Sequence, residues 1–150
     1  MPEQPSSHRT EGAEGAVSPR GSGAMRHGPG RVLVAVYAVL GLSATVRGSY
    51  QVLFHFSEAP LAYLLSLFAG LVYVVATAAL VRATPRAWQV ALVAVLVELV
   101  GVLTVGTLTI LDTADFPDGT VWGEFGRDYG WVPLLLPLLG LAWLRRTRPQ

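Results

Sequence analysis

The 150-residue chain contains no cysteine. This excludes disulfides, thiolate-held metals, iron–sulfur clusters, covalent haem attachment and a lipid-modified cysteine anchor. It has no lysine either, since all 11 basic residues are arginine, which reads as genome composition rather than mechanism. Charge is scarce altogether, at 14% of residues against the roughly 25% of a soluble domain. The basic patches of a nucleic-acid binder are missing. So are the Walker loop, the nucleophile elbow, HExxH and the dinucleotide fingerprint. No motif assigns a catalytic residue, a cofactor or a metal.

What is present is apolar, at 52% of residues. A soluble fold with so little charge could not cover its surface, so the excess must face lipid. The length allows one domain. Residues 1–30 stand apart, being rich in Gly, Pro, Ser and charge and nearly without large apolar side chains. They cannot bury enough surface to offset chain entropy and are expected to be a disordered cytoplasmic tail. Met25 opens MRHGPGRVLV and offers an alternative start directly before the first apolar run. Counted from Met25, Val32–Leu42 also resembles a signal peptide. The cleavage site is unconvincing, because Leu42-Ser43-Ala44 puts leucine where a small residue belongs.

Four apolar stretches follow, and backbone in lipid must satisfy itself, which means helix. Leu61–Val81 is an uncharged run opened by Pro60, and Ala87–Leu111 is broken only by Glu98. Both reach the roughly 20 residues needed to span about 30 Å of hydrocarbon. Val32–Val46 is uncharged for only 15 residues and must continue through Arg47 toward Phe56. Trp131–Leu144 is shorter still, gaining length from Gly126–Gly130 before it or from snorkelling of Arg145 and Arg146 after it. Pro133 fits a first helical turn, and Pro137 predicts a kink. The expected fold is therefore an all-α membrane protein, a four-helix transmembrane bundle over residues 31–146. Its spans are expected near 32–55, 60–81, 87–111 and 130–146.

Arginine placement orients the chain. Arg9, Arg20, Arg26 and Arg31 precede the first span, Arg82 and Arg86 join the second to the third, and Arg145, Arg146 and Arg148 follow the fourth. Nine of the 11 thus fall on one side, leaving Arg47 and Arg127 for the other. Cytoplasmic segments carry such an excess, so both termini are expected in the cytoplasm. The opposite side holds Glu58, Asp112, Asp115, Asp118, Glu124 and Asp128.

Two intramembrane features could carry chemistry. Ser43, Arg47, Gln51 and His55 recur at steps of four on the first span, on one slowly drifting face. Either Arg47 snorkels to the outer headgroups, or the stripe faces inward as a polar site. Glu98 lies roughly 18 Å up the third span from Arg86, near the bilayer midplane. A lone carboxylate there is neutral or paired with a cation. Arg47 lies at a compatible depth, so an Arg47–Glu98 pair is expected, fixing helix registry or forming a site. Arg47, Gln51, His55 and Glu98 are the candidate polar site.

The outer connection at 112–130 combines acids with aromatics. Trp122, Phe125 and Tyr129 have the spacing of a short interfacial helix resting on headgroups. Asp112, Asp115 and Asp118 do not match an EF-hand loop and read as solvated carboxylates. Ala62, Ser66 and Gly70 recur every four residues on the second span, a surface for close approach by a neighbouring helix of the same or another chain. Gly101 and Gly106, five apart, say less.

The segments RGSYQVLFHFSEAPLAYLLS at 47–66, VELVGVLTVGTLTILD at 97–112 and FPDGTVWGEFGRDYGWVPLLLPLLGLAWLRR at 116–146 resemble small four-span integral membrane proteins of high-GC Gram-positive bacteria. The resemblance covers residues 31–146 and implies the same topology and a plasma-membrane location. It carries over no catalytic or binding residue. Three functions stay open: a non-catalytic structural, accessory or partner-binding subunit; a small oligomeric transporter or channel using Glu98 and Arg47; and a membrane-embedded enzyme using His55 and the outer acids. The first is favoured by small size and the lack of a catalytic motif.

Overall fold

The structure, a computed structural model, describes residues 28–82, 84–112, 116 and 119–148. The expected disordered tail and the start at Met25 fall, but for Gly28–Gly30, outside the described residues. The described chain is helical: α1 (Pro29–Phe54), α2 (Pro60–Arg82), α3 (Pro85–Leu111), a short 3-10 stretch (Gly123–Tyr129) and α4 (Val132–Arg146). All four α-helices carry proline in their first turn, at Pro29, Pro60, Pro85 and Pro133. Proline costs nothing there, because its missing N–H would have no intrahelical partner. Thr84 caps α3, its hydroxyl accepting from the Ala87 amide at 3.2 Å.

Among the described residues three helices, not the expected four, are long and apolar enough to cross a membrane: α1, α2 and α3. This is the architecture of a multi-pass helical membrane protein. α4 has 15 residues, about 22 Å of helix, too short for about 30 Å of hydrocarbon. It runs as one element through Pro137. The three long helices expose large apolar side chains along their length, such as Val39 and Val46, Leu64 and Phe68, and Val93 and Leu103. Their inward faces mix large apolar residues such as Leu40, Val72 and Val102 with small and polar ones. Glu98 and Ser66 are buried while Val100 and Leu71 are exposed, the reverse of a soluble fold.

α1 packs closely on α2 because both carry glycine at the contact. A Cβ on Gly70 would lie 2.6 Å from the Thr45 amide nitrogen, and one on Gly48 would lie 2.8 Å from the Leu67 backbone. The small-residue stripe of α2 is thereby covered within the chain. Ala62, Ser66 and Gly70 are buried, and the neighbouring helix expected at this stripe is, at Gly70, α1 of the same chain.

The helix ends fix a common level. Trp143 of α4 lies against Gly30 at the start of α1, and Trp88 Nε1 of α3 donates to the Leu144 carbonyl at 3.0 Å. Arg31, Arg82, Arg86, Arg145, Arg146 and Arg148 therefore gather at one end of the molecule. From there α4 runs antiparallel to α3, with Gly140 beside Val95. It starts well short of the α3 C-terminus, and the space beyond it is filled by Thr120–Trp131.

Candidate functional site

Glu98 sits at the centre of the helices. Its oxygen Oε2 accepts a hydrogen bond from the Tyr37 hydroxyl at 2.7 Å. Tyr73 lies beside Tyr37 with ring centroids 6.0 Å apart, and Trp122 Nε1 donates to the Tyr73 hydroxyl at 2.9 Å. Glu98, Tyr37 and Tyr73 are 0% exposed and Trp122 is 2% exposed. Each comes from a different element, α3, α1, α2 and the outer segment. α4 contributes room, since a Cβ on Gly140 would come within 3.0 Å of the Tyr37 hydroxyl. The second carboxyl oxygen, Oε1, is buried and accepts no hydrogen bond.

The energetics of that arrangement are unequal. A charged side chain at a helix centre in lipid costs about 2.5–3.5 kcal/mol on insertion scales, and one neutral phenol offsets only part of that. A neutral buried oxygen without a partner costs about 1–3 kcal/mol.

The outer segment was expected to lie on headgroups, but Trp122 and Phe125 turn inward. The hollow above Gly101 receives the Trp122 ring, and the hollow above Gly106 receives Phe125. Trp122 also meets Phe68 edge-on at 6.0 Å. Reaching those hollows forces unusual backbone. Glu124, Phe125 and Gly126 are consecutively left-handed, with φ of 46°, 60° and 80°, and Trp131 has φ 65°. Left-handed backbone costs a non-glycine residue about 1–2 kcal/mol. The turn is held by the Glu124 amide donating to Thr109 Oγ1 at 2.8 Å, and by the Trp131 amide donating to the Gly126 carbonyl at 3.0 Å. The Arg127–Glu124 ion pair lies on its outer surface. Irregular backbone is tolerated at membrane depth where protein buries it. Here it occupies the outer part of the slot that α4 is too short to fill.

The expected Arg47–Glu98 pair does not form. Arg47 Nη1 donates to the Tyr129 hydroxyl at 3.2 Å, in an exposed position. Depth and angle both prevent it: Glu98 meets α1 at Tyr37, ten residues before Arg47 and so about 15 Å away along the helix. The inward face of α1 runs through Leu33, Tyr37, Leu40, Ala44 and Gly48, and Arg47 stands one residue, about 100°, off it. Ser43 is exposed, and Gln51 and His55 are half-buried near the helix end. Gln51 Oε1 and His55 Nδ1 are buried without hydrogen-bond partners, and His55 stacks on Tyr50 at 5.3 Å. Of the four sequence candidates, only Glu98 belongs to the central cluster. Tyr37, Tyr73 and Trp122 were missed. Their signal was available for two of them: Tyr37 lies four residues before Gly41 and seven before Ala44, and Tyr73 lies three after Gly70, on the small-residue faces.

Asp112 is exposed, while Asp115 and Asp118 lie outside the described residues. Among the described residues no group of acids or histidines could hold a metal ion. An apolar groove between α2 and α3, lined by Phe68, Leu71, Val75, Val90, Val93 and Val97, faces outward. Comparison with protein-family models, curated proteins and solved structures finds no match for this chain.

Proposed function

We propose that the chain is a bacterial plasma-membrane protein that crosses the bilayer four times with both termini in the cytoplasm. In this reading it works as a non-catalytic structural, accessory or partner-binding subunit. The observation that carries it is the apolar surrounding of the centre: Tyr37, Tyr73, Trp122, Val95 and Val102 are buried together about Glu98. The gathering of six arginines at one end supports the orientation. The fourth crossing is made by α4 together with Thr120–Trp131, of which Thr120, Val121, Trp122 and Gly126 are buried, extending the helix toward the outer surface. The resemblance to small four-span proteins of high-GC Gram-positive bacteria supports the same topology. His55 lies against Tyr50, its ring tilted by 44°, and is not part of the cluster about Glu98.

A partner would meet the exposed apolar sides of the helices rather than the small-residue stripe of α2, which faces α1 at Gly70. Purification from the native membrane with its lipids, followed by identification of co-purifying proteins, tests the reading. A stoichiometric partner is the expected result. A chain that purifies alone and moves a solute across reconstituted vesicles would contradict it. That transport reading has one observation in its favour, the unpartnered Glu98 oxygen at the centre.

A further inference from the structure

Glu98 poses a problem that the packing does not solve. Its carboxyl group is fully enclosed, Oε2 accepts from Tyr37, and Oε1 has no donor at all. The groups turned toward it can be named element by element. α1 presents the Tyr37 phenol, and α2 presents Tyr73, which lies within electrostatic reach of it. α4 presents the backbone of Gly140 beside the Tyr37 hydroxyl, and the outer segment presents the Trp122 indole bonded to Tyr73. Tyr129 and Arg47 bond to each other in an exposed position. No cationic side chain hydrogen-bonds to Glu98 among the described residues.

A carboxylate in this position would be a bare negative charge amid apolar and phenolic groups. A proton removes the charge without needing space, which no other cation can do in so tightly packed a centre. The 2.7 Å contact of Oε2 with the Tyr37 hydroxyl suits the protonated carboxyl, which can accept from the phenol or donate to it. The route outward is equally specific. Between the cluster and the outer surface stands the Thr120–Trp131 segment, whose Trp122 ring fills the hollow above Gly101. That segment holds three left-handed non-glycine residues, so it is strained where it is seated.

We propose that Glu98 is an enclosed proton-binding site and that Thr120–Trp131 is the plug that separates it from the outer aqueous phase. This goes beyond an accessory role and does not depend on it, because a subunit of either kind could carry the site. Glu98 exchanges its proton only when Trp122 leaves its seat.

Infrared spectroscopy of the full chain in lipid vesicles tests both parts. At a pH where exposed loop carboxylates are ionised, a carbonyl stretch of a protonated carboxyl in apolar surroundings is expected. Glu98→Gln removes it, and Glu98→Asp keeps a shifted band. In deuterated buffer the band of the unaltered chain shifts slowly, and Trp122→Ala makes the shift markedly faster. Absence of the band in the unaltered chain, or its persistence in Glu98→Gln, overturns the proton site. Equal exchange rates with and without Trp122 overturn the plug. Trp122→Phe, which keeps the ring bulk but loses the bond to Tyr73, guards against misfolding of the alanine variant. Its exchange is expected to fall between the other two, and exchange as slow as in the unaltered chain for both variants again overturns the plug.

Discussion

Trp122 has the largest of the fully buried side chains described, and replacing it with alanine should release the segment that carries it. Truncating a buried Trp in a packed core costs about 3–5 kcal/mol. Within that lies the bond to the Tyr73 hydroxyl, worth about 0.5–1.5 kcal/mol. The released ring would enter the membrane interface, where tryptophan is well accommodated, so the lower figure of about 3 kcal/mol applies. The strain of Glu124, Phe125 and Trp131 is relieved on release in both proteins, so it cancels from the comparison. A difference of about 3 kcal/mol shifts the local opening equilibrium roughly a hundredfold. Val121, the buried neighbour of Trp122, is the reporter, and the chain has no other thiol. With Val121→Cys, thiol labelling should be slow alone and roughly a hundredfold faster when Trp122→Ala is added, if opening is fast and limits access by its population. Rapid labelling of Val121→Cys by itself would refute the reasoning, as would equal rates in the two proteins.

Other perturbations separate the remaining contacts. Gly70→Leu drives a side chain into the Thr45 backbone and should cost about 1–3 kcal/mol by overpacking, read as thermal unfolding in detergent; unchanged unfolding would mean α1 does not cover that stripe. Tyr37→Phe takes the one donor from Glu98 and should cost about 1–3 kcal/mol, and its cycle with Glu98→Gln should be non-additive by about 0.5–3 kcal/mol. The cycle of Arg47→Gln with Glu98→Gln should be additive within about 0.5 kcal/mol, because Arg47 is bonded to Tyr129. A strong coupling there would restore the Arg47–Glu98 pair. A chain beginning at Met25 should insert and accumulate like the full one, and a large loss of membrane-inserted protein would contradict the tail's being dispensable.

The long helices could be read from the sequence because lipid imposes one simple condition on them, an unbroken apolar run of sufficient length. Pro60 marks the start of α2 in both, and α3 extends the expected span by only two residues, to Pro85. The burial of Glu98 followed from cost alone. Its partner did not, because counting from the helix ends sets Arg47 rather than Tyr37 level with Glu98, and because rotation needs a face to be chosen. On α1 the polar stripe drew attention to Arg47, while the inward face is marked by small residues at Gly41, Ala44 and Gly48. The outer segment was least legible. Its 3-10 turn depends on left-handed Glu124 and Phe125, residue types that give no local hint of that conformation, and on hollows above Gly101 and Gly106 contributed by a different helix. Aromatic spacing there suggested an interfacial helix, and long-range packing overrode it. The shortness of α4 has the same origin, since the slot it leaves is filled by residues that precede it.

Whether α4 crosses the membrane is the point on which the topology turns, and the exposed positions Asp112 and Arg148 bracket it. Asp112→Cys and Arg148→Cys, made separately and treated in intact cells with a thiol reagent that cannot cross membranes, measure this directly. Four crossings predict that Asp112→Cys is labelled at once and Arg148→Cys only after permeabilisation. Labelling of Arg148→Cys in intact cells as fast as Asp112→Cys would leave three crossings, with α4 packed against the others from the outer side.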